Sequence, residues 1–167
     1  EDATTSSAFV NGTGKTYVTW CWKAGGSGSA NEDGSVNTTA TSVNSTSKFS
    51  IGIYTGTGSA GMTVGHGLGV APDFIVVKKR GAADRWCAYH SANTSAPETE
   101  AIYLSETDAT ADDADFWNDV APSSSLVTFG DKGDINSAVT TVMYCWSAVQ
   151  GFSKFGSYEG NNNADGT

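Results

Sequence analysis

The stretch "TVGHGLGVAPDFIVVKKR", Thr63–Arg80, sets three glycines at alternate positions around His66 and then runs through Pro72 into a β-branched segment. Two readings compete for it. A phosphate-binding loop needs a helix directly behind the glycines, whose free N–H groups face the anion. Here the glycines are followed by "VAPDFIVVKK", and no Gly-Lys-Ser/Thr is present. Proline biases the residue before it away from helix, and Ile75, Val76 and Val77 suit a strand. Gly65, Gly67, Gly69 and Pro72 therefore read as a tight entry into a central strand, glycine permitting positive φ or close backbone approach. His66 is either packed beneath that turn or exposed as a ligand, and the packed role is the reading adopted.

Composition points the same way. Of 167 residues, 38% are hydrophobic and 11% aromatic, enough for a core, while only 16% are charged. Soluble domains carry roughly 25% charged residues; here Ser, Thr, Asn and Gly supply the polarity instead, and these favour turns over long helices. The net charge of −9 leaves nine Lys and Arg to neutralise phosphates, so nucleic acid is not an expected partner. Lys78, Lys79 and Arg80 read as a solvated strand end. No apolar run approaches the ~18 residues of a spanning helix, so membrane insertion is not expected either. Without a signal peptide or an initiator methionine, Glu1 is expected to lie inside a longer protein.

The three cysteines, Cys21, Cys87 and Cys145, lack C-x-x-C spacing and sit in the aromatic runs "TWCWK", "RWCAYH" and "MYCWSA". They are expected to be buried, reduced thiols, with a Cys21–Cys145 bridge as the alternative. Two of these runs belong to an internal duplication. "VTWCWKA", Val18–Ala24, matches "VMYCWSA", Val142–Ala148; "FSIGIYTGTG" from Phe49 matches "FSKFGSYEGN" from Phe152 with one residue inserted. The order of the pairs implies one whole unit, 25–148, preceded by a final strand region, 1–24, and followed by the start of a further repeat or a packing strand, 149–167.

Strands are expected near Thr16–Lys23, Lys48–Thr55, Asp73–Lys79, Trp86–His90, Ala101–Leu104, Leu126–Phe129, Val139–Ala148 and Phe152–Tyr158. One helical turn is allowed within Thr107–Trp117. The fold class is all-β: an antiparallel two-sheet β-sandwich, jelly-roll-like, with few or no helices.

Taken together, "TVGHGLGVAPDFIVVKKR" with "RWCAYH", "YVTWCWKAGG" upstream and "GFSKFGSYEGN" downstream resembles a module repeated in structural and tail-fibre proteins of marine bacteriophages of the cyanophage and pelagiphage type. The likeness covers nearly the whole chain. In such proteins the module often adjoins concanavalin A-like lectin domains. The resemblance implies a non-catalytic virion component, a fibre or spike module assembled in the host cytoplasm and exposed on the particle. Its implied partners are copies of itself, trimers by analogy with phage fibres, other virion proteins, and host surface glycans. No catalytic residue transfers with it.

Cys87 and His90 would face opposite sides of one strand, which is wrong for a nucleophile and its base. No G-x-S-x-G elbow occurs, and two histidines with three scattered thiols do not suit zinc. Asp108, Asp112, Asp113 and Asp115 crowd one loop; a solvated loop with Asp capping a short turn is the plainer reading, and calcium the alternative cofactor. Trp86, Tyr89, Trp117 and Tyr158 are the candidate sugar-stacking aromatics, whereas Trp20, Trp22 and Trp146 are assigned to the core or sheet packing. A capsid-decorating or filament-forming repeat and a glycan-cleaving spike are the rival functions. The spike requires two carboxylates about 5–9.5 Å apart, sought among Asp73, Asp84, Asp112, Asp113, Asp115 and Asp119.

Overall fold

A computed structural model describes residues 12–163. The outermost residues of the two expected end regions, 1–11 and 164–167, lie outside the described residues. Among the described residues nine strands form: β1 Ala40–Asn44, β2 Phe49–Thr55, β3 Met62–Gly65, β4 Phe74–Lys79, β5 Cys87–His90, β6 Glu100–Tyr103, β7 Ala111–Asp112, β8 Leu126–Phe129 and β9 Thr140–Trp146. The large sheet runs β1-β2-β9-β4-β5-β6-β7 with every pairing antiparallel, and β3 pairs with β8 in a separate two-stranded sheet. The chain is an all-β sandwich of unequal sheets. An α-helical turn, α1 Ala114–Trp117, falls inside the stretch where one was allowed.

Period-two alternation builds the core. Tyr54, Ile75, Val77, Cys87, Tyr89, Met143 and Cys145 point inward from the large sheet, meeting Met62, Val64, Val127 and Phe129 from the small one. Phe116 and Trp117 of α1 fill the space that two strands alone leave open. Each fully buried large apolar side chain contributes on the order of 2–3 kcal/mol. Tyr54 stacks on Phe129 at 5.3 Å, and its hydroxyl donates to the Ile135 carbonyl at 2.6 Å.

The opening stretch carries the chain from one sheet to the other. β3 ends at Gly65 and β4 begins at Phe74, with no helix between them. Gly67 and Gly69 take φ of +72° and +73°, a region that favours glycine. His66 is fully buried beneath the turn, as the packed reading expects. Asp73 then locks the start of β4: its backbone N–H donates to Trp146 O at 2.8 Å, and its carboxylate accepts from Ala148 N–H at 2.7 Å.

Two expected strands do not form. Thr16–Lys23 and Phe152–Tyr158 are irregular, apart from an isolated bridge between Val149 and Ser153. Both copy strands that already exist, and those strands have no free edge to offer: β9 lies between β2 and β4, and β2 between β1 and β9. A strand without a partner edge leaves its backbone groups to water. Three strands form where none was expected, β1, β3 and β7. β1 lies in the Ser/Thr/Asn/Gly tract, and its outer edge is covered by Gly25–Ser29 through paired Ser29–Thr41 backbone bonds. Covering an edge in this way blunts unwanted pairing.

Candidate functional site

The residues that alternate with the core on the large sheet form an aromatic outer face. Phe49 of β2 stands opposite Trp146 of β9, which stands opposite Phe74 of β4, which stands opposite His90 of β5. Their rings follow at 5.0, 5.4 and 5.7 Å across four strands. Trp22 packs edge-on against Trp146 at 5.5 Å at one end of this row, and Phe155 stacks on Phe74 at 6.0 Å at the other. Beside the row opens a cleft of about 860 Å³. Its walls are Trp20, Trp22, Trp86, Leu104, Tyr144 and Trp146, so four of the five tryptophans of the chain meet there. The lining holds no Asp, Glu, Lys or Arg. Trp146 Nε1–H is buried and finds no acceptor among the described residues. A second recess of about 270 Å³ shares Leu104 and adds the polar side chains of His90 and Asn93.

The expected sugar-stacking set is divided by the fold. Trp86 is at the cleft and 43% exposed, and Tyr158 is 94% exposed but not part of the lining. Tyr89 and Trp117 are corrected: both rings are buried, packed edge-to-face at 5.8 Å, and the Trp117 indole N–H donates to Glu100 O at 3.0 Å. The reason is α1, which turns Trp117 inward where a loop would have left it out. Burial also pushes the Tyr89 hydroxyl up to about 12. Conversely Trp20 and Trp22, assigned to the core or to sheet packing, are 75% and 51% exposed: neither lies in the core, and Trp22 packs on the sheet against Phe49 and Trp146. The signal was present: in "TWCWK" alternation places both tryptophans on the face opposite the thiol, and β9 turns its matching Cys145 inward and Trp146 outward.

Cys21 is likewise exposed rather than buried, while Cys87 and Cys145 are buried; all three are free thiols. Burial pushes the Cys87 thiol up to about 12 and raises that of Cys145 as well.

The acidic loop does not gather. Asp113 caps α1, accepting from Asp115 N–H at 3.1 Å, and is paired with Lys132 at 2.7 Å. Asp112 lies in β7, while Asp108 and Asp115 are exposed. Among the described residues no three His, Cys, Asp or Glu side chains form a metal-binding group.

The closest grouping of charge lies at the far ends of β4 and β5. Lys79 pairs with Asp84 and Arg85 with Asp134, both at 2.6 Å, and the Arg85 guanidinium lies 4.1 Å over the Tyr103 ring. Burial pushes the Asp134 carboxyl up, and its hydrogen bond to Asp84 holds Asp84 down. None of these carboxylates lines the cleft. Each is also paired with a cation, Lys79 or Arg85.

No curated protein and no solved structure matches the chain. One family model covers residues 1–167, and the chain therefore belongs to the family described as Domain of unknown function (DUF7483).

Proposed function

We propose that the chain is a non-catalytic structural module of a phage appendage, a tail fibre or spike, whose outer sheet face makes contacts with host surface glycans. The sequence resemblance supports the virion setting. The observation that carries the binding role is the tryptophan-walled cleft on a hydrogen-bonded sheet. Sugar rings present flat C–H faces that indoles cover, while donors at the rim take the hydroxyls. His90 and Asn93 of the adjoining recess are such rim groups. Titration with a panel of pyranose oligosaccharides, followed by tryptophan emission, tests it. Binding should be saturable and should weaken at least tenfold in Trp20→Ala and Trp86→Ala. A panel that leaves emission and calorimetric heat unchanged at millimolar sugar overturns the glycan role.

The second reading is a filament-forming or capsid-decorating repeat. The apolarity of the cleft favours it, because interface cores are depleted of charge and enriched in aromatic residues.

A further inference from the structure

The duplicated segments acquire a meaning once the sheet is known, because their originals are direct neighbours. β2 and β9 pair antiparallel with Phe49 opposite Trp146, Ser50 opposite Cys145, and Gly52 opposite Met143. Several of the matched positions are used in that pair. Phe49 and Trp146 stack at 5.0 Å on the outer face, Ser50 and Cys145 are buried against one another, and Tyr54 is sealed in the core. Val18, Cys21, Trp22 and Ala24 repeat Val142, Cys145, Trp146 and Ala148. Phe152 and Ser153, then Gly156 and Tyr158 after one extra residue, repeat Phe49, Ser50, Gly52 and Tyr54. One end of the described chain thus carries a β9-type strand and the other a β2-type strand, each with the side chains of both faces.

Neither forms a strand here, the second making only the Val149–Ser153 bridge. Cys21 is exposed where Cys145 is buried, and Phe152 and Tyr158 are 70% and 94% exposed where Phe49 and Tyr54 are buried. Within one copy the two segments are held apart. Trp22 sits over β2 and β9, and Phe155 over β4 and β5. That separation is two strand spacings, about 10 Å, against the one spacing of about 4.8 Å that pairing needs.

We propose that the Val18–Trp22 segment of one copy pairs antiparallel with the Phe152–Tyr158 segment of a second copy, Trp22 opposite Phe152 and Cys21 opposite Ser153. The inserted residue Phe155 forms a bulge in the second strand. Main-chain hydrogen bonds supply affinity and the copied side chains set the register. Each copy offers one strand of each type, so the contact is head-to-tail and propagates instead of closing at two. The segment carries Trp20 and Trp22 of the cleft wall, but the strand pairing is read by cross-linking and the cleft by sugar binding, so the two are tested separately.

Disulfide trapping in the full chain tests this. Directly opposed residues on paired strands have Cβ atoms about 4.5–5.5 Å apart, so Ser153→Cys should cross-link to Cys21 of another copy under mild oxidation. The expected product on a non-reducing gel is a ladder of dimers, trimers and higher species that lengthens with protein concentration. Salt near 0.15 M screens the acidic copies, the Debye length there being about 8 Å. The ladder should vanish when Cys21→Ser is added, and the unsubstituted chain, with Cys21 as its one exposed thiol, should stop at dimers. Near-UV circular dichroism matching the parent shows that the variant is folded. A cross-linked monomer, or no species beyond the dimer in the folded variant, overturns the proposal. Failure of the sugar titration leaves this result unaffected.

Discussion

His66 is held in one protonation state by geometry. Its Nδ1 accepts from Leu68 N–H at 3.2 Å, and its Nε2–H donates to Ser123 O at 3.2 Å. A second proton on Nδ1 would face the Leu68 N–H. Burial is the main cause that lowers the ring below its ordinary value of 6.5, against smaller opposing effects of the Ser123 carbonyl and Asp33. The sign follows by linkage. The unfolded chain takes up a proton near pH 6.5 while the folded chain still resists it, so this contribution to stability is full above that pH and is lost as pH falls through the folded value. Urea midpoints should therefore drop between pH 7.5 and 5.5. In His66→Gln the midpoint should be lower throughout, and the part of the pH slope that His66 supplies should be gone. An equal slope in the two proteins would remove His66 as its origin. That a histidine between glycines is packed was readable from the turn chemistry. Which carbonyl it would meet, 57 residues away in sequence, was not.

At the scale of elements, the connection from β2 to β3 is held by one side chain from the connection between β8 and β9. Asn136 is fully buried. Its Oδ1 accepts from Thr57 and Gly58 N–H at 2.8 and 3.0 Å, and its Nδ2 donates to Ser59 O and Gly130 O at 2.9 and 2.6 Å. An aspartate of the same shape keeps the two acceptor contacts but turns the donors into a repulsion with two carbonyls. Asn136→Asp should cost roughly 2–4 kcal/mol in urea unfolding at neutral pH, from two unsatisfied buried groups and a buried charge. A loss below 0.5 kcal/mol would mean that the loops hold without the clamp. Strand positions were readable because period-two patterns survive in "FSIGIYT" and "TTVMYCW". The same patterns over-read Thr16–Lys23 and Phe152–Tyr158, since a pattern reports which faces a strand would have and not whether an edge is available to it. β1 was missed for the converse reason: its Thr, Ser and Asn residues look like a loop, yet the open edge of β2 recruits them.

For the whole molecule, the burial of two thiols and the exposure of a third give a direct readout of the packing. Cys21 should react with an aromatic disulfide reagent at the rate of a free thiol in the native chain. Cys87 and Cys145 should react only in denaturant, because burial both blocks access and keeps the thiolate scarce. More than one fast thiol in native buffer would show that the inner face of the large sheet is open. The copies of this acidic chain repel one another at low salt, so association through the outer face or the end segments should strengthen as salt rises. Electrostatic recognition of an anion would weaken instead.

Local chemistry by itself determined that this chain is all-β, that the glycine-rich bend feeds a strand, and that its two ends repeat its own inner strands; it allowed one helical turn within Thr107–Trp117. Those properties rest on backbone φ, side-chain branching and alternation, which act over a few residues. Tertiary structure alone decided which aromatic rings face solvent. The central strands carry apolar residues on both faces here, and the position of the small sheet and α1 determines which face is covered. Tyr89 and Trp117 were thereby withdrawn into the core, while four tryptophans were left around a single cleft.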